Sequence, residues 1–483
     1  MSCNETSTRL HLPRVVISST CGGGGKTLLS LGLARFLRNR GWNVLPFKKG
    51  PDYIDAAWLT QAAGRQSSNL DPYFLDGDGL RAQMAHAARK LLDLSEMDRA
   101  LGIVEGNRGL YDGLDVEGSC STAALARELK APVIVTINVT KMTRTTAALL
   151  QGLQNFESVT FAGVVLNCTG SPRHASYLRA SIEHYTDFKV LGELPRLAHN
   201  PLPERHMGIA SLKGDDLSDS AQEGLEAMAA YVGAHVDVQA IVRSASAAPD
   251  LDCEPLWKDE AKRTGDGPVI GYVRDRCLWF YYHENLEALE RAGARLVRLS
   301  LFDDSWPLEG EGSLDAIYLG GGFPEDSLNR LANNPRLKDL ADLAVKGFPI
   351  YAECGGLMIL SRSVRRKDQV TAMAGVLPLD IEIGPRPCGL GYVQGEIVRD
   401  NPFYAKGTVL FGHEFHYSRA LPCEKSLTHL ALTRGTGLGD NLDGLVVNNT
   451  WASYTHIFAP SQGSWAPTLC RLAMEWKRRK ALA

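Results

Sequence analysis

The stretch from Ser18 to Ser30 reads SSTCGGGGKTLLS and sets four consecutive glycines in front of Lys26 and Thr27. Glycine loses more backbone freedom on folding than any other residue, so such a run needs a reason, and close approach of a ligand to bare backbone is the usual one. RVVISS before it reads as a buried strand, and LLSLGLARFLRNRG behind it reads as an amphipathic helix. Between a strand and a helix, successive backbone N–H groups can converge on a polyphosphate, and the helix N-terminus adds its positive end. In that arrangement Gly23, Gly24 and Gly25 form the cradle, Lys26 reaches the terminal phosphates and Thr27 holds Mg2+. The strict spacing places glycine where this chain has Thr20, so the loop is a variant form. The bland alternative is a flexible glycine turn.

A magnesium site needs further oxygen ligands. FKKGPDYIDAAW places Asp52 and Asp55 after the second strand, and IVEGNRGLYDG places Glu105 at the end of the next long one. Acids at the carboxyl ends of sheet strands face the same crevice as the loop. Solvated turn carboxylates are the alternative for Asp52 and Asp55.

FPIYAECGGLMILS is a strand, a sharp turn and a helix, with Cys354 at the turn. This is a nucleophile-elbow pattern with cysteine in the serine position. A helix N-terminus lowers a thiol pKa, and the thiolate is the nucleophile. The base would come from His413, His416 or His456, in FGHEFHYS and WASYTHIFA. LGGGFPE, with Gly320, Gly321 and Gly322 after a strand, offers backbone donors for an oxyanion hole. A small buried core residue is the alternative for Cys354.

The elements that must position these groups alternate in type. NVLPFK, LGIVEG, PVIVTIN and FAGVVLN read as further parallel strands, with STAALARELK and RTTAALLQGLQNF as helices between them. That order predicts a doubly wound α/β domain over 1–236. The pattern dissolves over 237–267, read as a linker. PVIGYV, ARLVRLS, LDAIYLG and FPIYAEC begin a second doubly wound α/β domain over 268–483. With 483 residues the chain is too long for one core. Net charge of −3 and no long basic run argue against a nucleic-acid partner. No apolar stretch is long enough to span a bilayer, and the first residues lack a signal-peptide core. Ten scattered cysteines without a C-x-x-C pair suit a reducing cytoplasm.

TCGGGGKT, FKKGPDYID and VEGNRGLYDG, followed in order by AECGGLM, GHEFHYS and ASYTHIF, resemble the cobyrinate a,c-diamide synthases. LNCTGSPRH, ELPRL and PERHMG fit the same pattern, and the resemblance covers nearly the whole chain. It implies an N-terminal dethiobiotin-synthetase-like domain that binds ATP and Mg2+ and phosphorylates a peripheral carboxylate of an anionic tetrapyrrole. It implies a C-terminal class I glutamine amidotransferase domain that releases ammonia from glutamine through a glutamyl thioester. Lys26 and Thr27 then match the phosphate and metal positions, and Asp52, Asp55 and Glu105 the acidic positions of the crevice. Lys48 would help neutralise the acyl phosphate, and Asn167 would meet the nucleotide base. Cys354 matches the nucleophile and His456 the base. His413 and His416 are left as structural or pocket residues. The common triad ends in His-x-Glu, whereas here His456 is followed by Ile457 and Phe458. That departure is shared by the cobyrinate and cobyric acid branch and implies a Cys–His pair. A homodimer is left open.

Some positions depart from the family pattern. YIDAAWL carries Ala56, Trp58 and Leu59 where Y-I-D-P and a histidine are common. Asn107 and Arg108 replace hydrophobic residues, and Val393 replaces the arginine of G-Y-R. These features are similar to relatives that act on siroheme or sirohydrochlorin, whose acetate side chains admit the same amidation. Three rivals come from other classes. A partitioning-type P-loop ATPase switch leaves Cys354 and its domain unexplained. A non-catalytic tetrapyrrole carrier leaves the intact site residues unexplained. A ligase for a biotin precursor has no need of glutamine.

Overall fold

A computed structural model of the chain describes residues 9–197, 204–205, 208–209, 219–257, 265–421 and 427–482. It divides into two compact units, with the chain passing from one to the other between Leu256 and Trp257.

The first unit is built on seven strands: β1 (Arg14–Ser19), β2 (Asn43–Lys49), β3 (Ser68–Leu70), β4 (Ala100–Glu105), β5 (Val133–Asn138), β6 (Phe161–Thr169) and β7 (Val190–Pro195). They form one parallel sheet in the order β3-β2-β4-β1-β5-β6-β7. Helices cover both faces, which is why RVVISS and ALGIVE are buried along their whole length. The five predicted strands are all present. β3 and β7 were not predicted, because a three-residue SNL and the glycine-bearing VLGELP carry weak strand patterns. Strand order reverses around β1, whose neighbours β4 and β5 lead to opposite sides of the sheet. The carboxyl ends of β1, β2 and β4 therefore open onto one crevice.

The predicted linker, 237–267, is largely structured as far as Asp252. Asp237 caps a helix at Val238–Ser246 by accepting from the Ala240 amide at 2.9 Å. Ile241 and Ala245, one helical turn apart, enter the same core as Val15 and Ile17. Leu251–Asp252 then pairs antiparallel with Arg9–Leu10. The Ser/Ala-rich composition hid this short amphipathic stripe. Residues 258–264 of the predicted linker lie outside the described residues.

Arg14 ties this segment to the sheet. Its guanidinium is fully buried and donates to the carbonyls of Leu129 at 2.7 Å, Leu12 at 2.9 Å and Pro249 at 2.6 Å. Arg14→Met leaves these carbonyls without their donor and is expected to cost about 3 kcal/mol. The check is hydrogen exchange: the amides of Val15 to Ile17 should exchange faster in the variant, in step with a lower urea midpoint.

The second unit carries β8 (Val269–Val273), β9 (Leu278–Phe280), β10 (Arg295–Leu299), β11 (Ala316–Leu319), β12 (Gly321–Gly322) and β13 (Ile350–Glu353). It continues with β14 (Gly389–Ile397), β15 (Val409–His416), β16 (Thr428–Arg434), β17 (Leu442–Val447), β18 (Thr450–Ser453) and β19 (His456–Ile457). Ten of these form one sheet in the order β10-β8-β11-β13-β18-β17-β16-β14-β15-β19. The first five are parallel; four of them are the predicted runs, and β18 was not predicted. From β18 onward every pairing is antiparallel. This meander brings GHEFHYS and ASYTHIF back beside the parallel half, with His413 of β15 directly opposite His456 of β19. Among the described residues every cysteine is a free thiol, and no helix is long and apolar enough to cross a membrane.

Candidate active sites

In the first unit the glycine run closes the gap between β1 and the helix Lys26–Arg38. Gly25 caps that helix with φ at +101°, a region that favours glycine. A Cβ on Gly24 would lie 1.7 Å from Ser19 Oγ, and one on Gly25 would lie 2.4 Å from Asn167 Nδ2. Side chains are thus excluded on the sheet side of the loop. Around Gly22 and Gly23 a Cβ would meet nothing within 4 Å. Asn167, expected to meet a nucleotide base, uses its amide to brace the loop, donating to Gly24 O at 3.2 Å.

Lys26 is buried and donates to Cys21 O at 3.1 Å and Arg108 O at 2.6 Å. Its ammonium is therefore fixed at the loop, against the end of β4. Burial, and then the charge of Lys48, lower its pKa. Thr27, in the first turn of the helix, donates to Glu105 Oε1 at 2.7 Å. Lys48 and Glu105 are register partners on β2 and β4. The Lys48 ammonium lies 3.0 Å from Glu105 Oε1 and 2.6 Å from Asp55 Oδ2. Burial alone would discharge Lys48, but Asp55, Glu105 and Asp52 outweigh it and hold its pKa above the usual value. Asp52 caps the helix Tyr53–Ala63 by accepting from the Asp55 amide at 2.9 Å. Burial and the neighbouring Asp55 push its carboxyl up to about 7.

The structure thus joins Thr27, Lys48, Asp55 and Glu105 into one hydrogen-bonded group at the crevice. Glu105 Oε2 is buried and has no hydrogen-bond partner. An unsatisfied carboxylate oxygen beside a threonine hydroxyl suits a hard divalent cation. No group of three or more His, Cys, Asp or Glu side chains among the described residues could hold a metal ion by itself. A cation bound here would complete its shell with phosphate oxygens and water.

In the second unit Cys354 stands between β13 and the helix Gly355–Leu360, with φ at +46° and ψ at −99°. A non-glycine residue rarely adopts this backbone, and the elbow is held by the Cys354 amide donating to Ser453 O at 2.7 Å. The expected lowering of the thiol by the helix end is not what the structure gives. Burial, then the charge of Glu325, push the Cys354 thiol well up. A helix of six residues does not offset that desolvation, so the thiol needs a base beside it.

His456, the expected base, stands on β19. A Cβ on Gly321 would lie 2.3 Å from His456 Cε1, so the imidazole rests against the backbone of β12. Its other face stacks on His413, with centroids 4.8 Å apart and planes 17° from parallel. Burial and His456 hold His413 well below the usual imidazole range, so His413 is neutral. Its Nδ1 lies 3.4 Å from Tyr282 Oη. His416 points elsewhere, packing on the Tyr454 ring at 3.7 Å and meeting Glu414 Oε2 at 3.3 Å. Of the glycines after β11, Gly320 donates its amide to Tyr281 Oη at 2.7 Å and is committed there. Gly322 abuts the elbow, since a Cβ on Gly355 would lie 2.8 Å from Gly322 N.

The sequence reading missed Glu353. It looked for the acid two residues after His456 and found Phe458. Glu353, the residue before the cysteine, is fully buried, with Oε2 at 3.5 Å from His456 Nδ1. A charged residue closing the apolar run FPIYAE was the available signal.

Residues 15–209 match the family model of the CobQ/CobB/MinD/ParA nucleotide binding domain, and residues 269–463 match that of the CobB/CobQ-like glutamine amidotransferase domain. The chain is 37% identical over 477 residues to the cobyrinate a,c-diamide synthase of Magnetococcus marinus, covering 97% of this chain and 98% of that one. It is 36% identical over 473 residues to the cobyrinate a,c-diamide synthase of Archaeoglobus fulgidus, covering 97% and 99%. It is 36% identical over 471 residues to that of Methanothermobacter thermautotrophicus, covering 96% and 100%. The chain belongs to the cobyrinate a,c-diamide synthase family.

Within the family frame, most of the departures prove to be core positions. Ala56, Trp58 and Leu59 are buried, with Trp58 and Leu59 packed in the first unit's core beside Val15. Val393 is buried in the core cluster of the second unit that also holds Trp451 and Tyr351. Asn107 is half-buried and exchanges backbone bonds with Thr122 Oγ1. Arg108 alone is exposed, at φ +50°, with its carbonyl on Lys26. PERHMG of the family pattern lies partly outside the described residues.

Proposed function

We propose that the chain is an ATP- and glutamine-dependent amidoligase that converts the a and c acetate carboxylates of cobyrinate into amides. What carries the reading is one chain with a glycine loop backed by Thr27, Lys48 and Glu105 in one unit, and a strained cysteine elbow with His456 in the other. A carboxylate is a poor electrophile. At the loop the substrate carboxylate takes the terminal phosphoryl group of ATP, giving an acyl phosphate and ADP. Lys26 offers the charge for the transferred group, and Lys48 sets a buried positive charge against Asp55 and Glu105. Thr27 and Glu105 would hold Mg2+, which supplies charge neutralisation of the phosphates.

At the elbow, His456 takes the Cys354 proton and the thiolate attacks the glutamine carboxamide. Amide donors of β12, at Gly321 and Gly322, receive the developing oxyanion. The tetrahedral adduct collapses, the proton returns through His456 to the leaving nitrogen, and ammonia departs from a glutamyl thioester. Water then releases glutamate. Ammonia attacks the acyl phosphate, and phosphate leaves as the amide forms. Ammonium at neutral pH is a poor nucleophile, so making ammonia in a sheltered site favours the step.

A second reading keeps this chemistry and changes the macrocycle to siroheme or sirohydrochlorin. It is favoured by Arg108, the one departure that is exposed at the crevice. The test is mass spectrometry of products formed with MgATP, glutamine and a panel of cobyrinate, siroheme, and sirohydrochlorin with and without metal. Two hydroxyl-to-amino exchanges on cobyrinate are expected. Exchange only on siroheme or sirohydrochlorin would select the second reading.

A further inference from the structure

The carboxylate before the nucleophile has more than one tie to the base. Glu353 ends β13 and is fully buried. Its Oε2 lies 3.5 Å from His456 Nδ1 and accepts from Tyr318 Oη at 2.9 Å. Its Oε1 accepts from the amide of Ile457, the residue after His456, at 3.2 Å. Both oxygens are therefore held, one against the imidazole and one against the strand that carries it. Asn285 extends the grip. It donates to Ile457 O at 2.9 Å and accepts from the Ala459 amide at 2.7 Å.

An acid so placed has a specific use. An imidazole that faces a carboxylate with Nδ1 carries its proton there and leaves Nε2 as the acceptor. When Nε2 takes the thiol proton, the imidazolium is charged in a buried place, and a fixed anion stabilises it. We propose that Glu353 is the positioning residue of the thiol site, filling from the preceding strand the role that a His-x-Glu acid fills elsewhere. The proton balance is simple. The Sγ–H bond breaks and an Nε2–H bond forms, while no proton moves to or from Glu353, whose Oε2 lies 3.5 Å from Nδ1. The inference rests on the reading of Cys354 as the glutamine nucleophile.

The experiment measures glutamine hydrolysis by the full chain across pH, for wild type, Glu353→Gln, Glu353→Asp and Cys354→Ala. Gln can donate to Nδ1 and so favours the wrong tautomer. Glu353→Gln should lower kcat by about a hundredfold or more, with little change in KM for glutamine. The acidic limb of its profile should move to lower pH, because losing the anion makes the imidazolium easier to deprotonate. The other titratable group stacked on His456 is His413, with Tyr318 on Glu353, Tyr282 on His413, and Glu325 and Glu414 near the thiol. All are unchanged in the variant, so the limb reports Glu353. Glu353→Asp keeps the charge and should recover part of the rate and the wild-type limb.

The proposal is overturned if Glu353→Gln keeps kcat within about threefold of wild type. It is also overturned if Glu353→Gln and Glu353→Asp lose rate together with Tm while the limb stays in place. Hydrolysis that survives Cys354→Ala would instead sink the assignment of the nucleophile.

Discussion

Cys354→Ala loses glutamine-dependent amidation by on the order of 10⁴-fold, while added ammonia still supports the reaction. The size of the loss follows from the role, since without the sulfur no thioester forms and the remaining donors act on water alone. The variant should fold. Alanine keeps the Cβ, so the backbone at φ +46° is no more strained than with cysteine. The elbow also keeps its tie to Ser453 O. The lost side chain is small and buried, which limits the cavity. Product mass spectrometry with glutamine and with ammonium salts measures both arms. Amidation from glutamine at the wild-type rate would remove Cys354 from the mechanism. Failure of both arms with an unchanged Tm would mean that the first unit depends on this thiol.

Lys26→Ala abolishes amidation with either nitrogen source, by at least about 10³-fold. Two effects of the ammonium disappear together. The transferred phosphoryl group loses the charge that meets it, and the loop loses the tether to Cys21 O and Arg108 O that fixes its shape. Lys26 is buried, so no exposed cation can replace it from solution. Lys48 cannot move over, because Asp55 and Glu105 hold it. Release of ADP in the presence of the macrocycle is the direct measure. ADP formation within tenfold of wild type would show that the loop does not handle the phosphates. The pair of variants separates the sites, since one defect is rescued by ammonia and the other is not.

The chemistry was legible where residue types are rare and their order is fixed. GKT after a glycine run, the acids ending strands, and a cysteine before two glycines each carry a mechanism that needs those types. The alternation of β-branched runs with amphipathic helices placed five of the seven strands of the first sheet and four of the five parallel strands of the second. Legibility failed where the signal was short or shared between distant segments. The helix at Val238–Ser246 has only one buried stripe and sits in a Ser/Ala-rich stretch. The antiparallel strands β14 to β17 alternate with polar residues and glycines, and their register follows from pairing rather than from local pattern.

Sequence alone determined the doubly wound class, the loop with Lys26 and Thr27, the acids at 52, 55 and 105, and the Cys354 elbow with His456 as one of three candidate bases. Tertiary structure gave the three histidines different surroundings, seating His456 on Gly321 and opposite His413 while His416 packs on Tyr454. It also found Glu353, showed that the thiol is pushed up rather than down, and moved most of the departures from the crevice into the cores. These outcomes depend on burial and on contacts between residues 100 or more apart in the chain, such as Glu353 with Ile457. Desolvation and through-space charge set a pKa or orient an imidazole, and neither is a property of residues adjacent in sequence.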